Sequence, residues 1–345
     1  MPERRVQAKK AKNHRAPIQP LPQMEHQRVK MSPSRPQQAD PKPHPTSIIM
    51  RNFALVLLFC TLTLAAGAQS RHSSKLVQSD ETVLTVTASR NDSKSDAIKP
   101  ENLFLYENGV EQKIKNFSYD PSPSRIVILV DNSKTLPTDV EKMKKAAMEF
   151  AYEIFEGDQL FVIAYDEKPE IIQEWTDDAK KMEASFATFR KKGNPYLFDA
   201  MDAAVHQVLL PLMPGTRKTA IVVISDGLDR GSKITFEKLM NELQDNNVTV
   251  YSLGMPDRTG GAYRRDQPKA PQVLSKLTEG TGGTAFDFEN ASDAAKSICD
   301  ELRRNRYLLS YSSPETSTFD AKRIFLVGDK GIEVRTKQAQ PPNVK

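Results

Sequence analysis

Residues Arg125–Thr135 read RIVILVDNSKT: five apolar side chains, Ile126 to Val130, run without a break and give way at once to Asp131, Asn132, Ser133, Lys134 and Thr135. An uninterrupted aliphatic run suits a strand buried on both faces, as in a parallel sheet covered by helices, because a half-exposed strand alternates instead. Such sheets place their ligands just past the carboxyl ends of the strands. Asp131, Ser133 and Thr135 stand at that point, with one carboxylate and two hydroxyls at alternate positions of a tight turn. All three are hard oxygen donors, the chemistry that Mg²⁺ or Ca²⁺ selects. Taken alone, an Asp-Asn-Ser turn after a strand is also ordinary turn chemistry.

The chain is long enough for two or three domains, and its formal charge of +5 is unevenly placed. Residues 1–49 hold ten Lys and Arg against three acidic residues, Arg51 adds another cation, and everything after residue 68 nets −3. A chain that looks basic is therefore slightly acidic in its main part, with no later basic patch interleaved with aromatics, and nucleic acid is not an expected partner. Residues 1–49 are rich in Pro, Gln, Lys and Arg and bury too little apolar surface to fold. They are expected to be either a disordered basic extension or an over-extended reading frame, with Met50 the start. From there, Met50-Arg51-Asn52 precedes FALVLLFCTLTLAAGA. A positive start, a short apolar core and the small residues Ala66-Gly67-Ala68 describe a signal peptide over 50–68, cut before Gln69. The core is short for a membrane span of about 20 residues. The protein is thus expected to be secreted or periplasmic, and to meet a membrane only through this export signal or its uncleaved form as an anchor. Cys60 falls inside the segment and Cys299 in a helical pattern, so a removed signal leaves one thiol and no disulfide.

After a polar linker, TVLTVTA (82–88) alternates as a half-buried strand does, Leu103–Tyr106 is a second strand, and Glu107-Asn108-Gly109 signals a hairpin turn before VEQKIKNFSY. This gives a linker and small β module over 69–122, too small for a good core of its own. Over 123–305 strands and helices alternate. The spacing predicts a helix opened by a Thr138/Glu141 capping box, a strand at Leu160–Tyr165, helices near 177–189 and 196–210, and a second buried strand, TAIVVIS, at 219–225. A helix over 234–243, strand 248–253, helix 270–277, strand 284–288 and helix 293–305 follow. The expected fold is α/β: a doubly wound, mostly parallel sheet with helices on both faces. Short strands over 306–345 form a C-terminal β extension. The Arg303-Arg304-Asn305-Arg306 run is read as a solvated helix cap.

Both buried strands end in an aspartate, Asp131 and Asp226. Adjacent parallel strands lie about 4.8 Å apart, so if these two are neighbours their carboxylates share one crevice with Ser133 and Thr135.

The pattern Asp131-x-Ser133-x-Thr135, with Ser225-Asp226-Gly227 some ninety residues on, resembles the von Willebrand factor type A domain. ENLFLYENGVEQKIKNF before the domain and LRRNRYLLSY after it are similar to the flanks of a secreted bacterial subfamily. The resemblance spans roughly residues 80–336. It implies a Rossmann-like fold and a metal-ion-dependent adhesion site, built in the family from a DxSxS loop, a Thr of a second loop and an Asp of a third. Asp131, Ser133, Thr135 and Asp226 match as metal ligands, with Thr135 keeping the hydroxyl of the usual Ser. The second loop departs: Pro195-Tyr196-Leu197-Phe198-Asp199-Ala200 puts Pro195, which lacks a side-chain oxygen, where the Thr belongs. A water or Asn194 could fill that place for Mg²⁺ or another divalent cation. The implied function is binding of a protein partner through its carboxylate, not catalysis. The alternatives are a metal-free scaffold binding through its loops, and a haloacid-dehalogenase-like hydrolase. The hydrolase needs a general-acid Asp two residues after its nucleophile, where this chain has Ser133. No glycine-rich turn follows the first strand, so nucleotide binding is not expected. His206, beside Val205 and Val208, reads as structural.

Overall fold

The computed structural model describes residues 81–92, 96–136, 138–212, 218–256, 265, 267–313 and 320–342. The basic segment 1–49, the signal-like segment 50–68, the linker to residue 80 and the loop 257–264 lie outside the described residues. The element order is β1 (Glu81–Arg90), β2 (Leu103–Glu107), β3 (Val110–Gln112), β4 (Ile114–Tyr119), β5 (Arg125–Asp131), α1 (Val140–Glu153), β6 (Gln159–Tyr165), β7 (Pro169–Thr176) and α2 (Ala179–Ser185). Next comes α3 (Leu197–Ala203), which continues as a π-helical stretch (Ala204–Leu209) and a last turn (Leu210–Leu212). The chain goes on through β8 (Thr219–Ser225), α4 (Phe236–Asp245), β9 (Thr249–Gly254), α5 (Ala270–Thr281), β10 (Ala285–Asp287) and α6 (Ala291–Arg304). It closes with β11 (Arg306–Ser312), β12 (Lys322–Gly328), β13 (Ile332–Arg335) and β14 (Ala339–Gln340).

Six strands form the central sheet in the order β7-β6-β5-β8-β9-β10, parallel except for the β6–β7 pair. The chain starts in the middle, runs to one edge, returns and runs to the other, so β5 and β8 flank the topological switch point. The unbroken apolar run of β5 serves both faces. Ile126, Ile128 and Val130 pack with Met143 and Phe150 of α1 and Ile298 and Leu302 of α6. Val127 and Leu129 pack with Leu197 and Met201 of α3, Leu239 of α4 and Leu277 of α5. All five are fully buried, and each contributes about 1.5–3 kcal/mol of transfer free energy. Cys299 is buried in the first of these cores.

One cap differs from expectation. Asp139, not Thr138, starts α1: its carboxylate accepts from Lys142 N at 2.8 Å. An ionised cap is favoured by the helix dipole as well as by the hydrogen bond. Thr138 turns its hydroxyl to Met255 Sδ instead.

The flanking segments meet in space. β1 lies between β11 and β13, and β2 lies between β3 and β12, giving two antiparallel sheets, β13-β1-β11-β4 and β14-β12-β2-β3. They share one core of Leu84, Val86, Leu105, Leu309, Tyr311 and Ile324. Each segment alone lacks the partner strands that cover its apolar face. The β2–β3 turn places Asn108 and Gly109 at φ of 50° and 83°, the paired left-handed conformation of a tight hairpin turn.

This β module is sealed to the α/β domain by buried polar groups. Arg306 is not part of a solvated cap: it is 1% exposed, and its guanidinium donates to Thr87 Oγ1 at 3.0 Å and Thr249 Oγ1 at 2.7 Å. Arg303 and Arg304 behave differently and lie over the Phe155 ring at 5.7 and 5.9 Å. Helix α6 ends at Arg304, so Arg306 already belongs to β11 and its side chain follows the strand's inward face. Glu301 accepts from Thr87 Oγ1 (3.0 Å) and Tyr251 OH (2.6 Å) and pairs with Arg335. Lys218 Nζ donates to Asp120 O and Lys337 Nζ to Gln244 O, both at 2.7 Å. Thr249 and Lys218 mark the amino-terminal ends of β9 and β8, the opposite end of the sheet from Asp131.

Glu301→Ala removes the acceptor shared by three donors and leaves the buried Tyr251 hydroxyl without its acceptor. It should cost about 3–5 kcal/mol, read as a lower urea midpoint. Arg304→Ala, at the exposed end of the same helix, should stay within about 0.5 kcal/mol.

Candidate metal centre

The four residues singled out in the sequence come to the carboxyl-terminal rim on either side of the switch point. β5 and β8 pair in parallel, with Val130 opposite Ile224, so Asp131 and the Ser225-Asp226 step emerge side by side. Asp131 and Ser133 are fully buried, Asp226 is 3% exposed, and Thr135 is half-buried.

Asp131 is held at both oxygens. Oδ1 accepts from Ser133 N at 2.8 Å, and Oδ2 accepts from Ser225 Oγ at 3.1 Å. The Tyr165 hydroxyl, at the end of β6, lies 2.9 Å from Ser225 Oγ and 3.3 Å from Asp131 Oδ2. Ser225 Oγ in turn accepts from Gly227 N at 3.0 Å. Asp226 Oδ1 accepts from Leu228 N at 3.0 Å. Gly227 adopts φ of 81°, and a Cβ there would lie 2.4 Å from Ala270 O at the start of α5. The turn after Asp226 therefore needs glycine for both its conformation and its packing.

Ser133 Oγ and Thr135 Oγ1 are 3.0 Å apart. An octahedral ion with bonds of about 2.1 Å has neighbouring ligands about 3.0 Å apart, so the two hydroxyls are spaced as one edge of such a shell. Two carboxylates and two hydroxyls, all hard oxygens, suit Mg²⁺ or Mn²⁺. Among the described residues no group of three or more His, Cys, Asp and Glu gathers as a metal site. A divalent ion here would therefore draw on hydroxyls as well as on the two carboxylates.

The second loop contributes differently. Asn194 is exposed and its amide donates to Glu167 Oε1 at 3.1 Å. The Pro195 carbonyl accepts from Arg230 N at 2.8 Å. Neither supplies the oxygen that the missing Thr would have given. This loop instead ties the other two together. Asp229, buried three residues after Asp226, accepts from Phe198 N (3.2 Å) and from the Ser232 hydroxyl, and so caps α3, whose own N-cap residue makes no side-chain hydrogen bond. Asp199 returns the tie by accepting from Lys233 N and Ile234 N at 2.8 and 3.0 Å. Tyr165 and Asp229 were not singled out in the sequence. A Tyr ending the buried strand LFVIAY and a second Asp in SDGLD were the available signals, but Asp131 and Phe198, the partners that tie them to the site, lie more than thirty residues away.

Burial pushes the Asp131 carboxyl up to about 6; the Ser133 hydrogen bonds oppose the rise, and the charge of Asp226 adds to it. Because the folded value lies above the unfolded one of 3.8, the folded chain holds this proton more tightly. The corresponding stability is fully present below pH 3.8 and is lost as pH rises through about 6. Ionised Asp131 therefore costs the metal-free fold on the order of 3 kcal/mol at neutral pH. In chelator-containing buffer, Asp131→Asn should raise unfolding stability at pH 7.5 by about 2 kcal/mol, with the gap closing toward pH 4; urea titrations across that range check it.

The family model described as von Willebrand factor type A domain matches residues 126–301. Among solved structures, an aerotolerance-related membrane protein from Bacteroides fragilis is similar at 19% identity, over 52% of this chain and 99% of that one, with a TM-score of 0.40. A von Willebrand factor type A structure from Catenulispora acidiphila is similar at 12% identity, over 72% and 75%, with a TM-score of 0.43. Proximal thread matrix protein 1 from the mussel byssus, with a zinc-occupied MIDAS motif, is similar at 13% identity, over 55% and 47%, with a TM-score of 0.40. A comparison with curated proteins returned no match. From Ile126 to Glu301, more than half its length, the chain fits one family, and it belongs to the von Willebrand factor type A domain proteins.

Proposed function

We propose that this is an exported protein-binding module that receives a carboxylate of a partner protein at a divalent cation held by Asp131, Ser133, Thr135 and Asp226. Domains of this family are generally protein-interaction modules. The observation that carries the reading is the β5–β8 pairing, which brings two strand-terminal aspartates to one rim beside two hydroxyls 3.0 Å apart. Ser133 and Thr135 would bind the ion directly, and Asp131 and Asp226 directly or through water. The ion, when bound, supplies a Lewis-acidic position open to the partner's carboxylate. The chain's own part is to fix the oxygens: Ser225 and Tyr165 orient Asp131, and the Asp229 and Asp199 ties hold the loops. This is recognition rather than turnover. Export rests on the signal-like segment 50–68.

A second reading, a metal-free scaffold that binds through the same loops, is favoured by one observation. Pro195 offers no side-chain oxygen, and both its carbonyl and the Asn194 amide are engaged elsewhere. Calorimetric titration of the full chain with Mg²⁺ and Mn²⁺ separates the two. The metal reading expects saturable heat that Asp131→Ala abolishes, and tighter binding in Pro195→Thr, which restores a hydroxyl. Absence of heat in wild type and Pro195→Thr alike would leave the metal-free scaffold. A generic phosphatase assay is the check on recognition, since Asp131-dependent turnover would contradict it.

A further inference from the structure

A lysine of the second loop is tied to the rim. Residues 190–195 run beside 132–136 and are stitched to them: Asn132 Nδ2 donates to Arg190 O at 3.2 Å, Lys192 N to Asn132 O at 2.9 Å, and Lys134 N to Gly193 O at 3.2 Å. Within this stitched segment Lys191 Nζ donates to the Leu136 carbonyl. Its ammonium is thereby tethered to the loop that carries Ser133 and Thr135. The two neighbouring cations are engaged or placed elsewhere: Lys192 Nζ pairs with Glu170 at 2.6 Å, and Arg190 is exposed. Burial lowers the pKa of Lys191, while the charges of Asp131 and then Asp139 pull it back up.

We propose that Lys191 is the resident counter-charge of the rim, and that its tethered ammonium sets how tightly a divalent cation binds at Asp131. The inference rests on the metal reading above and concerns the regulation of that same site. A cation entering beside Asp131 meets a fixed like charge, and between half-buried groups that repulsion is screened much less than on an open surface. Pro195 and Lys191 stand in one loop and act in one direction. The first withholds an oxygen and the second adds a positive charge, so the site is tuned toward weak, salt-sensitive occupancy.

The test is calorimetric Mn²⁺ titration of the full chain and of Lys191→Gln, Lys191→Met, Lys191→Arg and Lys192→Gln. The two neutral Lys191 variants should bind roughly fivefold more tightly or better, and Lys191→Arg and Lys192→Gln should stay within about twofold of wild type. Gln retains a donor for Leu136 O and Met does not, so agreement between them assigns the effect to charge rather than to the tether. Detectable binding in the neutral variants alone would also support the role. Equal affinity in wild type and both neutral variants, in a chain that binds Mn²⁺, overturns it and leaves the metal site standing. No binding in any of the five proteins removes the metal site, and the role of Lys191 with it.

Discussion

The parallel pairing of β5 with β8 is the contact on which the remainder depends. Side chains alternate along a strand, so a slip of one residue would turn Asp131 away from Ser225 and onto the other face. Hydrophobic patterning cannot prevent that slip here, because Ile126 to Val130 are all apolar and both faces are buried. Register must instead be held at the strand ends, where polarity changes abruptly. Asp131 accepts from Ser225 across the pair, and Arg125 N donates to Lys218 O at the other end at 3.0 Å. The polar rim is therefore part of what aligns the sheet as well as the place where chemistry gathers.

The two ends of that sheet use buried charge in opposite ways. At the amino-terminal end, Glu301 meets Arg335, and both terminal nitrogens of Arg306 donate to threonine hydroxyls, so the β module is fastened by paired polar groups. At the carboxyl-terminal end, the charge of Asp226 acts on Asp131, and burial raises the cost of keeping Asp131 ionised. Matched buried charges specify an interface, whereas like charges gathered beside hydroxyls make a place that gains from a cation. The loops that bear them are tied to each other through Asp229, Asp199 and Asn132, which holds the oxygens in position.

Much of the candidate site was legible because its oxygen-bearing residues sit at fixed offsets from conspicuous strands. Asp131, Ser133, Thr135 and Asp226 could be read from two apolar runs and the polar turns after them. The supporting residues could not. Tyr165 reaches Ser225 from sixty residues away, and Asp229 caps a helix thirty-one residues earlier in the chain. Such partners leave no spacing signature. Arg306 was misread for the same kind of reason: in sequence it extends a basic run, but the helix stops at Arg304 and the next strand carries Arg306 inward. Asp139 overtook Thr138 as a cap because two adjacent cap-forming residues competed and the charged one also suits the helix dipole.

The sequence by itself determined the doubly wound α/β fold, the two buried strands and the aspartates that end them. Those properties are local: hydrophobic runs, turn residues and helix periodicity follow from neighbours along the chain. Only the tertiary structure decided that β5 and β8 are adjacent, that segments 81–119 and 306–340 close into one β module, and that Lys191 comes to the rim. Each of these joins groups far apart in sequence, and their meeting depends on which strands and loops the chain's crossings bring together, a quantity that no single stretch contains.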